Sequence, residues 1–289
     1  MTRTDQVTFV VFTYNEASRI ERVLLNLRDS GPVLVVDNHS ADDTREIAQR
    51  LGARVLLNKN PGWVEDEVTA QVVKAAVSTP WIYWGYADEM LSAEMLNHLI
   101  SLVESDKYDV VSISKKNYFY GRFCYDAFAG GALPRLFRKE AVDFTGNKIH
   151  HFGRLTVLPG RVCHLDSSRF FVHQFIANST KTMMSSVERY SDIELAQGSS
   201  AGPARMIARL FRTFFSNYFV RGGHKAGLEG FYFCFYNMIY DILLEMKRFE
   251  RERSYSRPKI EQLNDVWRDA MLKQQEVLQV GKSSAEDQS

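Results

Sequence analysis

The first hundred or so residues alternate between two hydrophobic patterns. Short runs that are apolar throughout, such as VTFVVF at residues 7–12, are typical of strands buried on both faces of a sheet. Between them, apolar side chains recur every three or four residues, as expected for helices that bury one face. The pattern predicts strands at 7–12, 33–36, 53–57, 81–86 and 109–114, and helices at 18–28, 42–51, 65–77 and 92–103.

Strands that alternate with helices in this way pair in parallel, and helices cover both faces of the sheet. The sequence therefore predicts an α/β protein with a doubly wound sheet. Ligands of such sheets bind beyond the carboxyl ends of the strands. The candidate site residues accordingly follow three of the strands, at 13–16, 37–40 and 88–89.

The pattern changes after about residue 115, where the chain becomes irregular and rich in aromatic residues, glycine and histidine. Residues 198–203 (GSSAGP) are typical of a linker or a helix start, and helical segments follow. The expected organisation is an α/β domain at 1–198, a helical extension at 199–280 and a disordered polar tail at 281–289.

The amino-acid composition limits the classes of protein to which this chain could belong. A hydrophobic fraction of 45% and a charged fraction of 25% are those of a soluble globular protein. A net charge of +1 does not favour polyanion binding, so no nucleic-acid partner is expected. The three cysteines are odd in number and far apart, which suits a reducing compartment. No signal peptide and no membrane-spanning stretch is expected, and the predicted location is cytoplasmic.

Asp37 ends the second strand and is followed by the polar turn 38–44 (NHSADDT). An acid at this position is able to accept hydrogen bonds from a base or a ribose, and the next helix offers N-terminal amides nearby. The turn also fits a helix-capping loop, because Ser40, Asp42 and Asp43 are common capping residues. Spacing alone leaves both interpretations open.

Asp88 and Glu89 come directly after the fourth strand, WIYWGY. Paired carboxylates at a strand end suit Mg²⁺ or Mn²⁺, which bind carboxylate and phosphate oxygens together. The alternative is that the two acids stabilise the start of the helix near Ser92 through the helix dipole. Two adjacent acids alone do not decide between these interpretations.

His150 and His151 precede a glycine in a predicted loop. A histidine titrates near neutral pH, so either residue is a candidate general base. The alternative is that both are ordinary hydrogen-bonding residues of a polar loop.

Residues 204–221 (ARMIARLFRTFFSNYFVR) predict a basic amphipathic helix. Arg205, Arg209 and Arg212 fall at i, i+4 and i+7 and form one stripe, and large apolar side chains fill much of the remaining circumference. Such a helix is typical of a membrane interface. Docking on the α/β domain with the arginines in water, and a subunit interface, are the other two interpretations.

Taken in order, several segments resemble the family 2 glycosyltransferases of the GT-A fold. The first three are FTYNEASRIERVLLNL, LVVDNHSADDTREIA and the strand end ADE, at 12–27, 34–48 and 87–89. Two later segments are similar to the branch that includes lipopolysaccharide core β-1,4-glucosyltransferases. These are PRLFRK with the following loop to Ile-His, and NYFVRGGHKAGLEGF, at 134–150 and 217–231. The resemblance covers about residues 7–250.

The resemblance implies a Rossmann-like, doubly wound mixed sheet with a helical C-terminal extension. It implies an inverting transferase that moves a hexose from a nucleotide-sugar, usually a UDP-sugar, to a saccharide or lipid-linked acceptor. The acceptor would belong to surface polysaccharide or lipopolysaccharide synthesis, at the inner face of the cytoplasmic membrane. A metal would neutralise the diphosphate, and a base would take the proton of the acceptor hydroxyl.

The resemblance also implies roles for single residues. Thr13, Asn15 and Glu16 would border the nucleotide pocket, and Asp37 would accept a hydrogen bond from the uracil. Asp88 would hold the donor and the metal.

The chain departs from the family pattern at three places. Glu89 follows Asp88 as a second candidate metal ligand, but Tyr86 stands where the family has the first acid of Asp-Ala-Asp-Glu, which leaves dependence on Mg²⁺ or Mn²⁺ open. Residues 70–71 (AQ) replace a Lys-Asn or Arg-Asn pair, and residues 150–151 (HH) replace a His-Glu whose glutamate is a candidate base. These changes keep a second hypothesis open, a non-catalytic module that binds nucleotide-sugar, glycan or a partner transferase.

Overall fold

The structure is a computed structural model that describes residues 4–123, 131–176, 179–196, 198 and 200–286. Its first half follows the predicted alternation of strands and helices, with one additional short strand, β5. The elements are β1 (Val7–Thr13), α1 (Ile20–Leu27), β2 (Val33–Asp37), α2 (Thr44–Arg50), β3 (Arg54–Leu57), α3 (Glu67–Ala76), β4 (Trp81–Tyr86), β5 (Glu89–Met90), α4 (Ala93–Glu104) and β6 (Val110–Phe119).

The second half begins with short strands and ends in helices. The strands are β7 (Arg122–Phe123), β8 (Leu133–Arg138), β9 (Val142–Asp143), β10 (Arg154–Leu155), β11 (Val162–His164) and β12 (Phe171–Ile176). The helices are α5 (Thr180–Leu195), α6 (Pro203–Phe215), α7 (Gly227–Glu252) and α8 (Arg257–Glu286), and a π-helical turn, Ser216–Val220, continues α6.

Ten strands of the described residues form one mixed sheet with the main order β3-β2-β1-β4-β8-β6-β12-β5. The first four are parallel, which confirms the predicted pairing. β8 is antiparallel to both β4 and β6, and β12 is parallel to β6 but antiparallel to β5. The sheet is therefore mixed, as the GT-A resemblance implied.

The register brings the candidate strand ends together. Thr13 of β1 lies opposite Asp37 of β2, and Phe12 lies opposite Tyr86 of β4. Because the three strands are parallel, the loops that follow them leave the sheet at the same edge.

The two larger clusters of buried apolar side chains lie one on each side of the sheet, and a smaller third cluster joins Phe119 of β6 to Phe233 of α7. Helices α1 and α4 contribute Leu24 and Leu96 to the first. Helix α3 contributes Val73 to the second, in which the Trp84 ring stacks on Phe144 with their centroids 5.3 Å apart. This coverage of both faces explains why the central strands are apolar throughout.

The C-terminal helices differ from the sequence expectation in one respect. Helix α8 continues to Glu286, so the start of the segment expected to be a disordered tail is helical, and residues 287–289 lie outside the described residues. The same helix contains a run of strong helix formers at 271–278 (MLKQQEVL) just before this segment. The domain boundaries at 198 and 280 stay predictions. None of the described helices is both long enough and apolar enough to traverse a bilayer.

We expect Phe137→Ala to lower the free energy of unfolding by about 3–5 kcal/mol, because the Phe137 side chain of β8 is fully buried in the second cluster, beside the rings of Trp84 and Phe144. The same substitution at Phe211, which is 73% exposed, is expected to change it by no more than about 0.5 kcal/mol. Urea unfolding of both variants measures the difference. Equal losses would contradict this location of the core.

Candidate active site

The loops after β1 and β2 are hydrogen-bonded into one unit at the carboxyl edge of the sheet. The Asn15 amide donates to Ser40 Oγ at 2.8 Å, and the Asn15 side chain accepts from the Ala41 amide at 2.8 Å. The Glu16 amide donates to Thr44 Oγ1 at 2.7 Å. Asn15 has a φ of 55°, a left-handed conformation that asparagine tolerates better than most residues. The structure thus brings Asn15 and Glu16 to the predicted edge.

Asp37 shapes this edge from inside the protein. Its carboxylate is fully buried and accepts from Thr13 Oγ1 at 3.0 Å, from the Ser40 amide at 2.8 Å and from Ser40 Oγ at 2.5 Å. Thr13 is itself buried. These contacts favour the capping-loop interpretation, because a buried carboxylate with three donors is poorly placed for a nucleotide base. The expected contact of Asp37 with the uracil stays a prediction.

Asp88 and Glu89, adjacent in sequence, have opposite environments. Asp88 is half-buried, and its Oδ2 accepts from Gln174 Nε2 at 3.0 Å. Glu89 is buried and forms an ion pair with Arg135, whose side chain is equally buried. Burial raises the pKa of the Glu89 carboxyl, and the Arg135 guanidinium acts against this rise. Asp88 is therefore open to a ligand, whereas Glu89 already has its partner.

Tyr86, which stands in the place of the missing acid, is part of the same network. Its amide donates to Glu89 Oε2 at 3.2 Å, and its hydroxyl donates to the Glu65 carboxylate. Burial and the Glu65 charge raise the pKa of Tyr86, so the hydroxyl remains a donor. The Arg135 guanidinium lies over the Tyr86 ring, 4.9 Å from its centroid. Tyr86 thus connects the strand end to two neighbouring segments.

Of the two predicted metal ligands, the structure leaves one without a charged partner among the described residues. Glu89 is not available as a ligand, because removing it from Arg135 would leave a buried charge without a partner. Asp88 is then the single carboxylate of the predicted pair. Across the described ranges, no three His, Cys, Asp or Glu side chains converge on one point where a metal ion could bind. The ion pair with Arg135 therefore disfavours Glu89 as a metal ligand, and the role of Asp88 as a ligand stays a prediction.

The histidine loop lies beside this network. Asn147 Nδ2 donates to the Glu65 carbonyl at 2.9 Å and to the His151 carbonyl at 3.0 Å. His150 Nε2 is 3.5 Å from a carboxylate oxygen of Glu194, which orients the ring. Both histidines are exposed. The structure therefore places the two candidate bases on a loop attached to the partner of Tyr86.

The predicted basic stripe of α6 is divided in the structure. Arg205 and Arg212 are exposed, but Arg209 turns toward α7, with its guanidinium 3.6 Å from Asp241 and 3.7 Å from Glu245. The side of α6 that packs on α7 contacts Asp241 and Glu245. The sequence of α6 alone could not predict these contacts. The prediction that all three arginines share one exposed stripe is wrong for Arg209.

Three residues of the site were missed from the sequence: Glu65, Lys115 and Gln174. A charged side chain just after the apolar run 109–114 was the available signal for Lys115, since that run also ends at the ligand edge of the sheet. Gln174 lies in β12, a strand that the irregular pattern after residue 115 did not predict.

The mixed α/β sheet, with polar loops converging at one carboxyl edge, agrees with the GT-A fold, and such an edge is where α/β sheets bind their ligands. The family model for glycosyl transferase family 2 matches residues 8–154, half of this chain. The chain belongs to that family and is a glycosyltransferase.

The chain is also similar to several individual proteins. An uncharacterized glycosyltransferase of Rickettsia conorii is 24% identical over 251 residues, which cover 79% of this chain and 84% of the relative. Among solved structures, TarS of S. aureus has a TM-score of 0.44 and 15% identity over 67% of this chain, which spans 40% of TarS. The mannosyltransferase PcManGT of Pyrobaculum calidifontis, solved with GDP-Man and Mn²⁺, has a TM-score of 0.41 and 13% identity, covering 93% of this chain and 83% of that protein.

We expect Glu89→Gln to lower the free energy of unfolding by about 3–5 kcal/mol, because it leaves the buried Arg135 charge unpaired. Asp88→Asn, an equally small change at a half-buried side chain, is expected to cost less than about 1 kcal/mol. Urea unfolding with and without Mn²⁺ measures both effects. Stabilisation by Mn²⁺ that disappears in Glu89→Gln would restore Glu89 as a metal ligand.

Proposed function

We propose that this protein is an inverting hexosyltransferase that uses a nucleoside diphosphate sugar, with UDP-sugars as the first candidates. The observation that supports this most directly is the convergence of three strand ends at one edge. The loop with Asn15 and Glu16, the turn held by Asp37, and Asp88 all lie there. Because the chain belongs to glycosyl transferase family 2, we assign the binding of the nucleotide-sugar to that edge.

Each edge residue has a proposed task. Asn15 and Glu16 border the nucleotide, on a loop that Thr13 and Asp37 hold in place from below. Asp88 faces the sugar and the diphosphate, with Gln174 fixing its carboxylate. No step is assigned to Glu89, because its ion pair with Arg135 occupies it.

The chemical step is a displacement at the anomeric carbon. The acceptor hydroxyl forms the new bond while the bond to the diphosphate oxygen breaks, and inversion follows from attack opposite the leaving group. A base takes the hydroxyl proton. His150 and His151 are the candidates, and the proximity of Glu194 to the His150 ring favours His150, since an oriented imidazole is the more effective base.

We expect the purified protein to release nucleoside diphosphate from a UDP-sugar or a GDP-sugar when a bacterial glycolipid fraction is supplied. Asp88→Asn is expected to lower the rate by about 100-fold or more. Asp29→Asn, an exposed acid at the opposite end of the sheet, is the matched control and is expected to leave the rate unchanged. His150→Gln and His151→Gln, compared in the same assay, assign the base.

The two remaining outcomes are both informative. Nucleotide binding without any transfer would favour the non-catalytic module. Full activity of Asp88→Asn would contradict the proposed task of Asp88.

The acceptor is proposed to be a saccharide on a lipid anchor, as in lipopolysaccharide core synthesis. Support comes from an apolar surface on α6 and the π-helical turn, here called the α6 surface. Its side chains are between 50% and 74% exposed: Ile207, Phe211, Phe215, Phe219 and Val220. Arg205 and Arg212 border it and are exposed. Aromatic side chains flanked by arginine are typical of helices that lie in the interface of an anionic membrane.

We expect the protein to float with vesicles that contain phosphatidylglycerol and less with pure phosphatidylcholine, because the arginines favour anionic lipid. Phe211→Ser with Phe215→Ser should abolish flotation, and Arg205→Ala with Arg212→Ala should weaken it and remove its salt dependence. Arg22→Ala with Arg50→Ala removes two exposed arginines elsewhere and should have no effect. Unchanged flotation of the phenylalanine variant would exclude the α6 surface as the contact.

A further inference from the structure

A half-buried lysine, Lys115, faces the strand-end network. In the parallel pairing of β6 with β12, Lys115 lies opposite Val172, and Asn117 lies opposite Gln174. Side chains two residues apart on a strand point to the same face, so Lys115 is on the face of the sheet from which Gln174 reaches Asp88. Burial lowers the pKa of the Lys115 amine, and the carboxylates of Glu89 and Asp88 act against this fall.

The other two cations of this region already have partners. Arg135 is paired with Glu89, and Arg19 is paired with Glu16. Lys115 differs from both, since no described residue offers its ammonium a salt bridge or a hydrogen-bond acceptor. A largely desolvated ammonium without an acceptor is unfavourable unless a ligand supplies one. The acceptor that this edge is proposed to bind is a diphosphate.

We propose that Lys115 takes the place of the divalent metal and binds the diphosphate of the donor, so that this transferase works without metal. The inference rests on the proposed function. When the bond between the anomeric carbon and the diphosphate oxygen breaks, its electron pair stays on that oxygen. The acceptor oxygen forms the new bond, its proton goes to the histidine base, and Lys115 stabilises the charge on the departing nucleoside diphosphate.

The carboxylates that could bind a metal at this edge agree with the replacement of the metal by Lys115. A divalent cation at a diphosphate is held by one or two protein carboxylates together with phosphate oxygens, and of the predicted pair Glu89 is already bound to Arg135, which leaves Asp88. Tyr86 and Arg135 occupy the place where a second acid would lie. A lysine binds phosphate as a point charge and does not require the ligand geometry that a metal imposes.

Lys116, the next residue, provides a matched control. Because side chains alternate along a strand, Lys116 is on the opposite face of the sheet, with its ammonium 4.4 Å from the centroid of the Phe171 ring. Replacing Lys115 or Lys116 therefore removes the same charge from the same strand, on different faces.

Calorimetric titration of the full chain with UDP, UMP and uridine, and with GDP, GMP and guanosine, tests the proposal in EDTA and in Mn²⁺. We expect the unchanged protein to bind one diphosphate in EDTA, with little effect of Mn²⁺. Lys115→Gln should weaken the binding of that diphosphate by about tenfold or more, as expected for loss of a charge-assisted contact. It should leave the binding of the nucleoside unchanged. Lys115→Arg should retain most of the affinity, and Lys116→Gln all of it.

Three results would overturn the role of Lys115. Diphosphate binding that requires Mn²⁺ would restore the metal, and unchanged binding by Lys115→Gln would remove the lysine from the site. An equal loss for diphosphate and nucleoside would indicate a general structural effect, which urea unfolding of each variant detects independently. If the unchanged protein binds no nucleotide of either series, the proposed function itself fails, and the role of Lys115 fails with it.

Discussion

A charged side chain that is buried in a sheet needs an opposite charge beside it, and Glu89 and Arg135 neutralise each other in this way. The rest of the site is arranged around their contact. Glu89 belongs to β5, directly after β4, and Arg135 belongs to β8, so the ion pair joins the segment that follows β4 to the strand that lies beside β4 in the sheet. Tyr86 fits under the guanidinium, and its amide donates to Glu89. The same pairing leaves Asp88 and Lys115 as the charged groups still available to a ligand.

Much of the nucleotide half could be predicted from the sequence, because its signals are local. Apolar runs and amphipathic periods locate β1 to β4 and the helices between them, and parallel pairing then puts Asn15, Asp37 and Asp88 at one edge. The second half could not be predicted in the same way. β8 contains a proline and two arginines, and it lies between β4 and β6 in the sheet although it comes after both of them in the chain. Such a pairing depends on contacts that no window of sequence contains.

The details of the site depended on partners distant in sequence. Asp88 and Glu89 are both acidic and adjacent in the sequence, but they have different partners in the structure. Asp88 accepts from Gln174, whereas Glu89 pairs with Arg135. Arg209 belongs to a regular basic stripe, but acids on α7 turn it inward. Asp37 was correctly located, yet the donors around it show that it shapes the loop. In each case, the sequence identified the position, and the surrounding side chains decided the chemistry.

The hydrogen bonds from Asn147 to Glu65 and from Tyr86 to Glu65 have a consequence for evolution. They connect the histidine loop to the end of β4 through Glu65, although 61 residues separate Tyr86 from Asn147 in the chain. Glu65 accepts from the Tyr86 hydroxyl with its carboxylate and from Asn147 with its main-chain carbonyl. A phenylalanine at position 86 would remove the first contact and leave the second, so the tyrosine that replaces the family's acid brings with it a requirement for an acceptor at position 65.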